Sequence, residues 1–470
     1  MPSNVFVLGQ DERNRQILAD LANAEDCRFH QLLSFEEIYG AEISFAGTLA
    51  AAQRRLDAFE GSIDAIIGFW DFPVTSLLPL LRARYGLRTV PLAEVVICEH
   101  KYWSRLVQRS VIDEYPPFGL LDPERATDPP EGLRYPMWIK PVKSFSSELA
   151  FGVADRDAFL AALGKITEGI GWIGKPFDAL LDYVDLPPEI AAAGGQACLA
   201  EEAIVGRQVT VEGYRYHGEV IVYGVVESVC FDNSPSFLRY QYPSSLPAEV
   251  VARLTDISCR VVERIGLEGM TFNIEYFWDP GTDAITLLEI NPRHSQSHAE
   301  LFADVDGMAN HEVMLRLALD RDPAFPHRKG RYAVAAKWFL RRFRDGIVAR
   351  HPTPEETDAV QHIVPGTSIE LTVHAGDRLS ELHRQDSYSY QLASVYIGAA
   401  DEAELTAKFD QVLAALPFEI DDVDDAGAPV DTATENANPP ALQVHDAADL
   451  GPCTGDRPID RTPGGTARGE

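Results

Sequence analysis

The most chemically loaded stretch of the chain is residues 287–298, LLEINPRHSQSH. It sets a carboxylate, an amide and a guanidinium at every second position: Glu289, Asn291 and Arg293. Alternate residues of a strand share one face, so a strand here crowds three polar groups of different chemistry onto one surface. Residues 270–293, MTFNIEYFWDPGTDAITLLEINPR, read as two apolar runs around a DPGTD turn, the pattern of an antiparallel hairpin. With Trp278 opposite Thr286, Glu275 faces Glu289 and Asn273 faces Asn291, whereas a slip of one residue turns these side chains to the other face. Carboxylates so opposed, with Cβ atoms about 4.5–5.5 Å apart, repel each other unless something compensates. Mg²⁺ is the natural compensator, because it takes hard oxygen ligands and prefers one or two carboxylates plus substrate phosphates. The amide oxygen of Asn291 suits the same site. A hairpin with a solvated polar face is the alternative reading.

The elements that must position this hairpin belong to a large chain. Of its 470 residues, 46% are hydrophobic, enough to build a sizeable core and two to four domains or lobes. No run approaches the roughly 18 apolar residues of a membrane span, and the start, MPSNVFVLGQDERNR, lacks the basic n-region of a signal peptide. Six cysteines, at 27, 98, 198, 230, 259 and 453, form no CxxC, so a reducing, cytoplasmic setting is expected. The formal charge of −31 provides no footprint for a nucleic-acid backbone. A phosphate-rich ligand therefore needs local Lys, Arg or metal.

Along the chain, NVFVLG (4–9) and IDAIIGFWD (63–71) read as buried strands, each followed by a helical stretch, and RTVPL (88–92) as a short third strand. This alternation predicts a parallel α/β layer over about the first 95 residues. Gly9 invites a dinucleotide reading, but no GxGxxG follows it. Pro-rich loops then lead to the strands MWIKPV (137–142) and ELAFGV (148–153) and a helix over 155–163. Residues 164–198 read as an insertion. CLAEEAIVG, RQVTVEGYRYHG and EVIVYGVVESV form a meander, and PAEVVARLTDISCRVVERIG an amphipathic helix closed by Gly266. A small α+β unit follows, and the acidic, Pro-rich composition after Ile420 predicts disorder.

The hairpin residues FNIEYF…LLEINPR, with upstream lysines and AEEAIVG, resemble the ATP-grasp superfamily of carboxylate–amine ligases over roughly residues 1–330. The resemblance implies a multidomain α/β and α+β chain: a pre-ATP-grasp layer (1–97), a two-lobed ATP-grasp domain (98–328, mobile lobe about 135–200), an α+β subdomain (329–420) and an acidic tail (421–470). It implies that Glu275, Glu289 and Asn291 hold Mg²⁺, or Mn²⁺, against ATP phosphates. Arg293 then stabilises an acyl phosphate, a task suited to a permanently charged planar fork. Lys101 and Lys140 match the phosphate-binding lysines, and a plain solvated surface role is their alternative. Glu201, Glu202, Ala203 and Ile204 match the adenine-binding hinge. Two departures stand out. Gln208 occupies the position of a ribose-binding acid, and PVKSFSSELAFGV replaces a Gly-rich phosphate loop, leaving Ser144, Ser146, Ser147 and Lys143 as candidate donors.

The implied chemistry is ATP-dependent activation of a small-molecule carboxylate as an acyl phosphate, then capture by an amine, with release of ADP and phosphate. No protein nucleophile is needed, and no GxSxG is present. His294 and His298 border the expected acceptor pocket as substrate contacts or as ordinary hydrogen-bonded histidines. Arg239 is a candidate partner for a substrate carboxylate or a surface residue. Bicarbonate activation in the manner of biotin carboxylase, and a catalytically weak nucleotide-binding module, are the competing functions. Neither a nucleic-acid nor a membrane partner is expected, and the pattern specifies no oligomeric state.

Overall fold

The computed structural model describes residues 2–40, 43–144, 149–231, 234–382, 385 and 388–423. The chain forms two compact units: residues 1–228 with 241–335, and residues 229–240 with the chain from Ala336 onward.

The first unit opens with a parallel sheet in the order Cys27–Ser34, Ser3–Gln10, Ala65–Ile67. Its central strand buries Val5, Phe6, Val7 and Leu8, the near-continuous apolar run that a strand covered on both faces requires. Two expectations are corrected here. RTVPL forms no strand; residues 87–91 are irregular and the helix Leu92–Glu99 begins directly after Pro91, which has no N–H to offer a ladder. The third strand is instead Cys27–Ser34 at the sheet edge, where only Leu32 and Leu33 are buried, so its apolar signal is weak.

A small antiparallel sheet follows, ordered Phe118–Leu121, Cys198–Glu202, Met137–Pro141, Phe151–Val153. The helix Arg156–Gly169 covers it. Asp155 caps this helix by accepting the Ala158 N–H at 2.9 Å, and Phe159, Ala162, Leu163 and Ile166 recur at helical spacing to pack on Met137, Ile139, Val153 and Ala200. The helix runs one and a half turns past the expected 163. Residues 164–198, expected as an insertion, also supply the helix Gly171–Leu181, whose Ile173, Phe177, Leu180 and Leu181 join the core of the first layer with Phe45 and Phe72. The segment about 135–200 thus divides its packing between two cores.

The remaining sheet of this unit places Ala284–Asn291, Met270–Asp279, Arg207–Tyr216 and Glu219–Cys230 side by side. The helix Ala248–Ile265 lies on it through Val250, Leu254, Ile257, Val261 and Ile265. Gly266, at φ +96°, ends that helix and donates to the Val262 carbonyl at 2.9 Å.

The second unit is α+β. Thr367–Leu371 pairs antiparallel with Tyr390–Ala399, and Trp338 stacks on Phe409 of the helix Glu402–Ala415 with centroids 3.9 Å apart. Gly346–Arg350 pairs with Glu419–Asp422, so the first residues assigned to the acidic tail close a strand pair. The tail from 424 on lies outside the described residues. Among the described residues no helix is long and apolar enough to cross a membrane.

Gly206 turns the chain between the strands Cys198–Glu202 and Arg207–Tyr216. It sits at φ +125°, and an added Cβ would lie 2.5 Å from the Trp278 carbonyl oxygen. Gly206→Ala is expected to destabilise the first unit by about 1–3 kcal/mol, read as a lower urea midpoint; an unchanged midpoint would refute the strain.

Candidate active site

The hairpin pairs Glu275 with Glu289 and Asn273 with Asn291, as the expected register requires. Beyond Glu275 the register shifts: Tyr276 faces Leu287 and Trp278 faces Ile285, not Thr286. Leu288 is the extra residue of a β-bulge, which re-aims a strand locally. Its carbonyl accepts from Arg105 Nη2 at 2.6 Å, and the Leu287 N–H donates out of the hairpin to the Glu114 carbonyl at 2.8 Å. The shift keeps Trp278 and Ile285 in the core while leaving the two carboxylates opposed.

Their environments push them apart electrostatically. Burial and then the Glu289 charge push the Glu275 carboxyl up to about 7, against the pull of Arg293 and the Gln208 amide. Burial also acts on Glu289, but Lys101 and Lys140 bring it below the ordinary carboxylate range. Lys101 Nζ lies 2.6 Å from Glu289 Oε1 and donates to the Ser144 carbonyl at 3.0 Å. Burial lowers the Lys101 ammonium, with Glu289 opposing. Lys140 Nζ is 2.6 Å from Glu201 Oε2. Glu201 also binds Arg105; despite burial these two cations hold its carboxyl down at about 2. Lys101, Arg105, Lys140, Glu201 and Glu289 line one narrow cleft.

No three His, Cys, Asp or Glu side chains converge as a ready metal site among the described residues. The donor set nevertheless fits a hard cation. The opposed carboxylates leave a charge conflict that a cation relieves. Asn291 spends its Nδ2 on Asn273 Oδ1 at 2.9 Å, keeping its amide oxygen as a possible ligand. Nucleotide oxygens would complete such a shell.

The hinge strand alternates as a strand must. Glu201 faces the cleft, while Glu202 binds Arg134, with Oε2 3.1 Å from Nη2. The Ala203 N–H donates to the Pro136 carbonyl at 3.0 Å, and Ile204 is half-buried. Gln208 Nε2 donates to Glu275 Oε2 at 2.9 Å. Ser146 and Ser147 lie outside the described residues. Lys143 is buried and paired with Glu99, which also accepts from Thr75.

Arg293 is forked onto Asp71, with Nε–Oδ1 at 2.8 Å and Nη2–Oδ2 at 2.7 Å. Asp71 is a residue that pattern reading missed. It follows a first-layer strand by four positions, more than 200 residues away in sequence, and carries no local motif. Glu212 was missed as well. It is fully buried and accepts from Tyr223 Oη at 2.6 Å, Asn310 Nδ2 at 3.1 Å and the Ser295 N–H at 3.1 Å, with His298 Nδ1 at 2.7 Å. The alternation of VTVEGY did place it on a strand, but its partners are distant.

The histidines occupy different surroundings from an open pocket wall. His294 is fully buried, its N–H donates to Thr271 Oγ1 at 3.0 Å, and its ring stands edge-on to His311. His298 is buried against Glu212. The half-buried members of the segment are Ser295, Gln296 and Ser297. Arg239 lies in the second unit, buried under Trp338 at 4.6 Å and 3.1 Å from Glu402.

The parallel first layer, the small antiparallel lobe and the sheet bearing Glu275, Glu289 and Asn291 make up an ATP-grasp fold. Residues 217–322 match the family of the carbamoyl-phosphate synthase L chain, ATP binding domain. A D-alanine–D-alanine ligase from Kineococcus radiotolerans is 26% identical over 178 residues, 34% of this chain and 40% of its own length. The match thus spans less than half of that curated relative. An L-amino acid ligase from Bacillus licheniformis superposes with a TM-score of 0.68 at 13% identity, covering 89% of this chain and 98% of that one. The biotin carboxylase domain of Hydrogenobacter thermophilus 2-oxoglutarate carboxylase, solved with MgADP, ADP and bicarbonate, gives 0.60 at 13% identity, covering 89% and 91%. At these identities the structural likeness establishes the fold.

Three buried imidazoles near the site resist protonation. Burial lowers His100 to about 4 and His311 to about 3, and brings His294 well below its ordinary value. Stabilisation by neutral imidazole is full above the unfolded value of 6.5 and is lost as pH falls toward the folded values, because only the unfolded chain takes up those protons. The thermal midpoint is expected to fall between about pH 7 and about pH 4, each histidine contributing about 1.4 kcal/mol per pH unit inside its window. Replacing His311 by Gln should flatten the profile; an unaltered slope would contradict its role.

Proposed function

We propose that the chain is an ATP- and Mg²⁺-dependent ligase that couples a small-molecule carboxylate to an amine through an acyl phosphate, releasing ADP and phosphate. The observation that carries this reading is the Glu275–Glu289 opposition beside a cleft lined by Lys101 and Lys140. The names of the D-alanine–D-alanine ligase and L-amino acid ligase relatives support it.

In this reading Lys101 and Lys140 hold the triphosphate, and Glu201, Ala203 and Ile204 border the adenine. Glu202 and Gln208 flank that slot, the first turned to Arg134 and the second bonded to Glu275. Glu275, Glu289 and the Asn291 amide oxygen would hold Mg²⁺, or Mn²⁺, which when bound supplies positive charge beside the phosphates. The substrate carboxylate attacks the γ-phosphorus, and the bond to the β-bridging oxygen breaks to release ADP. The amine then attacks the acyl carbon, phosphate leaves, and the amine proton is lost. Arg293 stabilises the acyl phosphate with a charge fixed in place before reaction. Phosphoryl transfer of this kind depends on positioning and electrostatics, so no protein nucleophile is required.

Incubation with Mg·ATP, carboxylic acids and amines should release ADP and phosphate; AMP and pyrophosphate would overturn the mechanism. Glu275→Gln and Glu289→Gln are each expected to lower turnover by roughly 10²–10³-fold, and wild-type rates in both would remove the metal-ligand assignment. The biotin carboxylase neighbour motivates a second reading, in which bicarbonate drives ATP turnover and free biotin stimulates it. Undetectable Mg·ATP binding by calorimetry would instead favour a catalytically weak, partner-binding module.

A further inference from the structure

Every cation of the site already has an anion: Lys101 has Glu289, Lys140 has Glu201, Lys143 has Glu99 and Arg293 has Asp71. A substrate carboxylate that docks on one of these cations must displace its partner. Lys143 and Glu99 are sealed, at 5% and 2% exposure, whereas Arg293 and Asp71 are reachable, at 15% and 27%. The Arg293 fork is held by two parallel N–H···O bonds of 2.8 and 2.7 Å, the geometry that any carboxylate can copy.

Asp71 itself cannot retreat far. Its carbonyl accepts from the Val74 N–H and the Tyr39 hydroxyl, both at 2.9 Å. It lies just past the carboxyl end of the strand Ala65–Ile67, the place where open parallel sheets receive ligands. A simple carboxylate that takes the fork leaves Asp71 half-buried with no cation in direct contact, only the more distant charges of Lys143 and Lys101 acting on it, a less favourable state than the pair it had. A ligand that carries an ammonium beside its carboxylate removes the conflict. It replaces the Asp71–Arg293 pair with two pairs, carboxylate on Arg293 and ammonium on Asp71.

We infer that Asp71 is the ammonium-binding residue of the carboxylate-donor subsite and that the donor is an α-amino acid. The inference rests on the ligase reading given above. In an α-amino acid both charged groups sit on one carbon, which matches a carboxylate and a guanidinium in direct contact. The assignment also has a chemical consequence. An ammonium that donates its N–H bonds to Asp71 has no free electron pair, so the donor's own nitrogen is not a nucleophile during acyl-phosphate formation. The attacking amine comes from a second molecule, and the product keeps the donor's amino group free.

The test compares individual L- and D-α-amino acids with their α-hydroxy and N-acetyl counterparts as donors, following ADP release with Mg·ATP and a common amine. The wild-type enzyme should prefer an amino acid over its deaminated counterpart in kcat/KM by on the order of 10- to 100-fold, and Asp71→Asn should collapse that ratio toward one, with Asp71→Glu restoring part of it. If Asp71 only positions Arg293, the variant lowers both donors equally and the ratio survives, which overturns the inference. Equal use of amino and deaminated acids by the wild type overturns it too, while the ligase reading stands. No ADP release with any carboxylate overturns both.

Discussion

The site depends on one electrostatic conflict: two half-buried carboxylates, Glu275 and Glu289, face each other across a hairpin. Like charges in such a position destabilise a sheet. The fold answers by delivering cations from elements far apart in sequence. Lys101 comes from the helix Lys101–Arg109, Lys140 from the strand Met137–Pro141, and Arg293 from the end of the hairpin itself. Each arrives already paired, so the site is close to neutral in pairs yet locally frustrated at Glu275. That is the condition in which an added cation and a polyanionic ligand enter together more easily than either alone.

The face that carries the conflict is ordered in rows. Thr210, Glu275 and Glu289 align across three strands, and Glu212, Asn273 and Asn291 align one row along. The second row stiffens the first. Asn291 donates to Asn273, Asn273 donates to the Arg293 carbonyl at 3.2 Å, and Glu212 gathers Ser295, His298 and Asn310. A buried carboxylate surrounded by donors is favourable only because its acceptor sites are filled. Glu212 therefore locks the segment after Arg293 from behind, which is why His294 and His298 are buried while Ser295, Gln296 and Ser297 remain partly open.

How much of this was legible follows from the range of the interactions. The hairpin, its turn and the opposition of Glu275 and Glu289 are local, and alternation plus turn chemistry suffice to read them. The bulge at Leu288 escaped because its cause is tertiary: Arg105 and Glu114 reach in from another part of the chain. The same holds for Asp71 and Glu212, whose partners lie between 11 and 222 positions away. The strand Cys27–Ser34 was hidden by its exposed polar half, and RTVPL looked like a strand although Pro91 is built to open a helix. The histidines of HSQSH have chemistry that draws attention, but a histidine next to a polar hairpin is as well suited to filling a core when a buried carboxylate or hydroxyl is available to it.

The first layer bears no nucleotide motif, and Gly9 is followed by none of the glycines a dinucleotide turn needs. Its contribution is instead two acids. Asp71 and Glu99 come from the layer and the helix leading out of it, and they meet Arg293 and Lys143 respectively. The sealed pair has little reason to change on binding, because separating it would strand two buried charges. The accessible pair can exchange partners at little cost if the incoming ligand carries both signs. Substrate choice in this reading is then a matter of charge pairing set by the first layer, while the hairpin supplies the phosphate chemistry that any carboxylate would share.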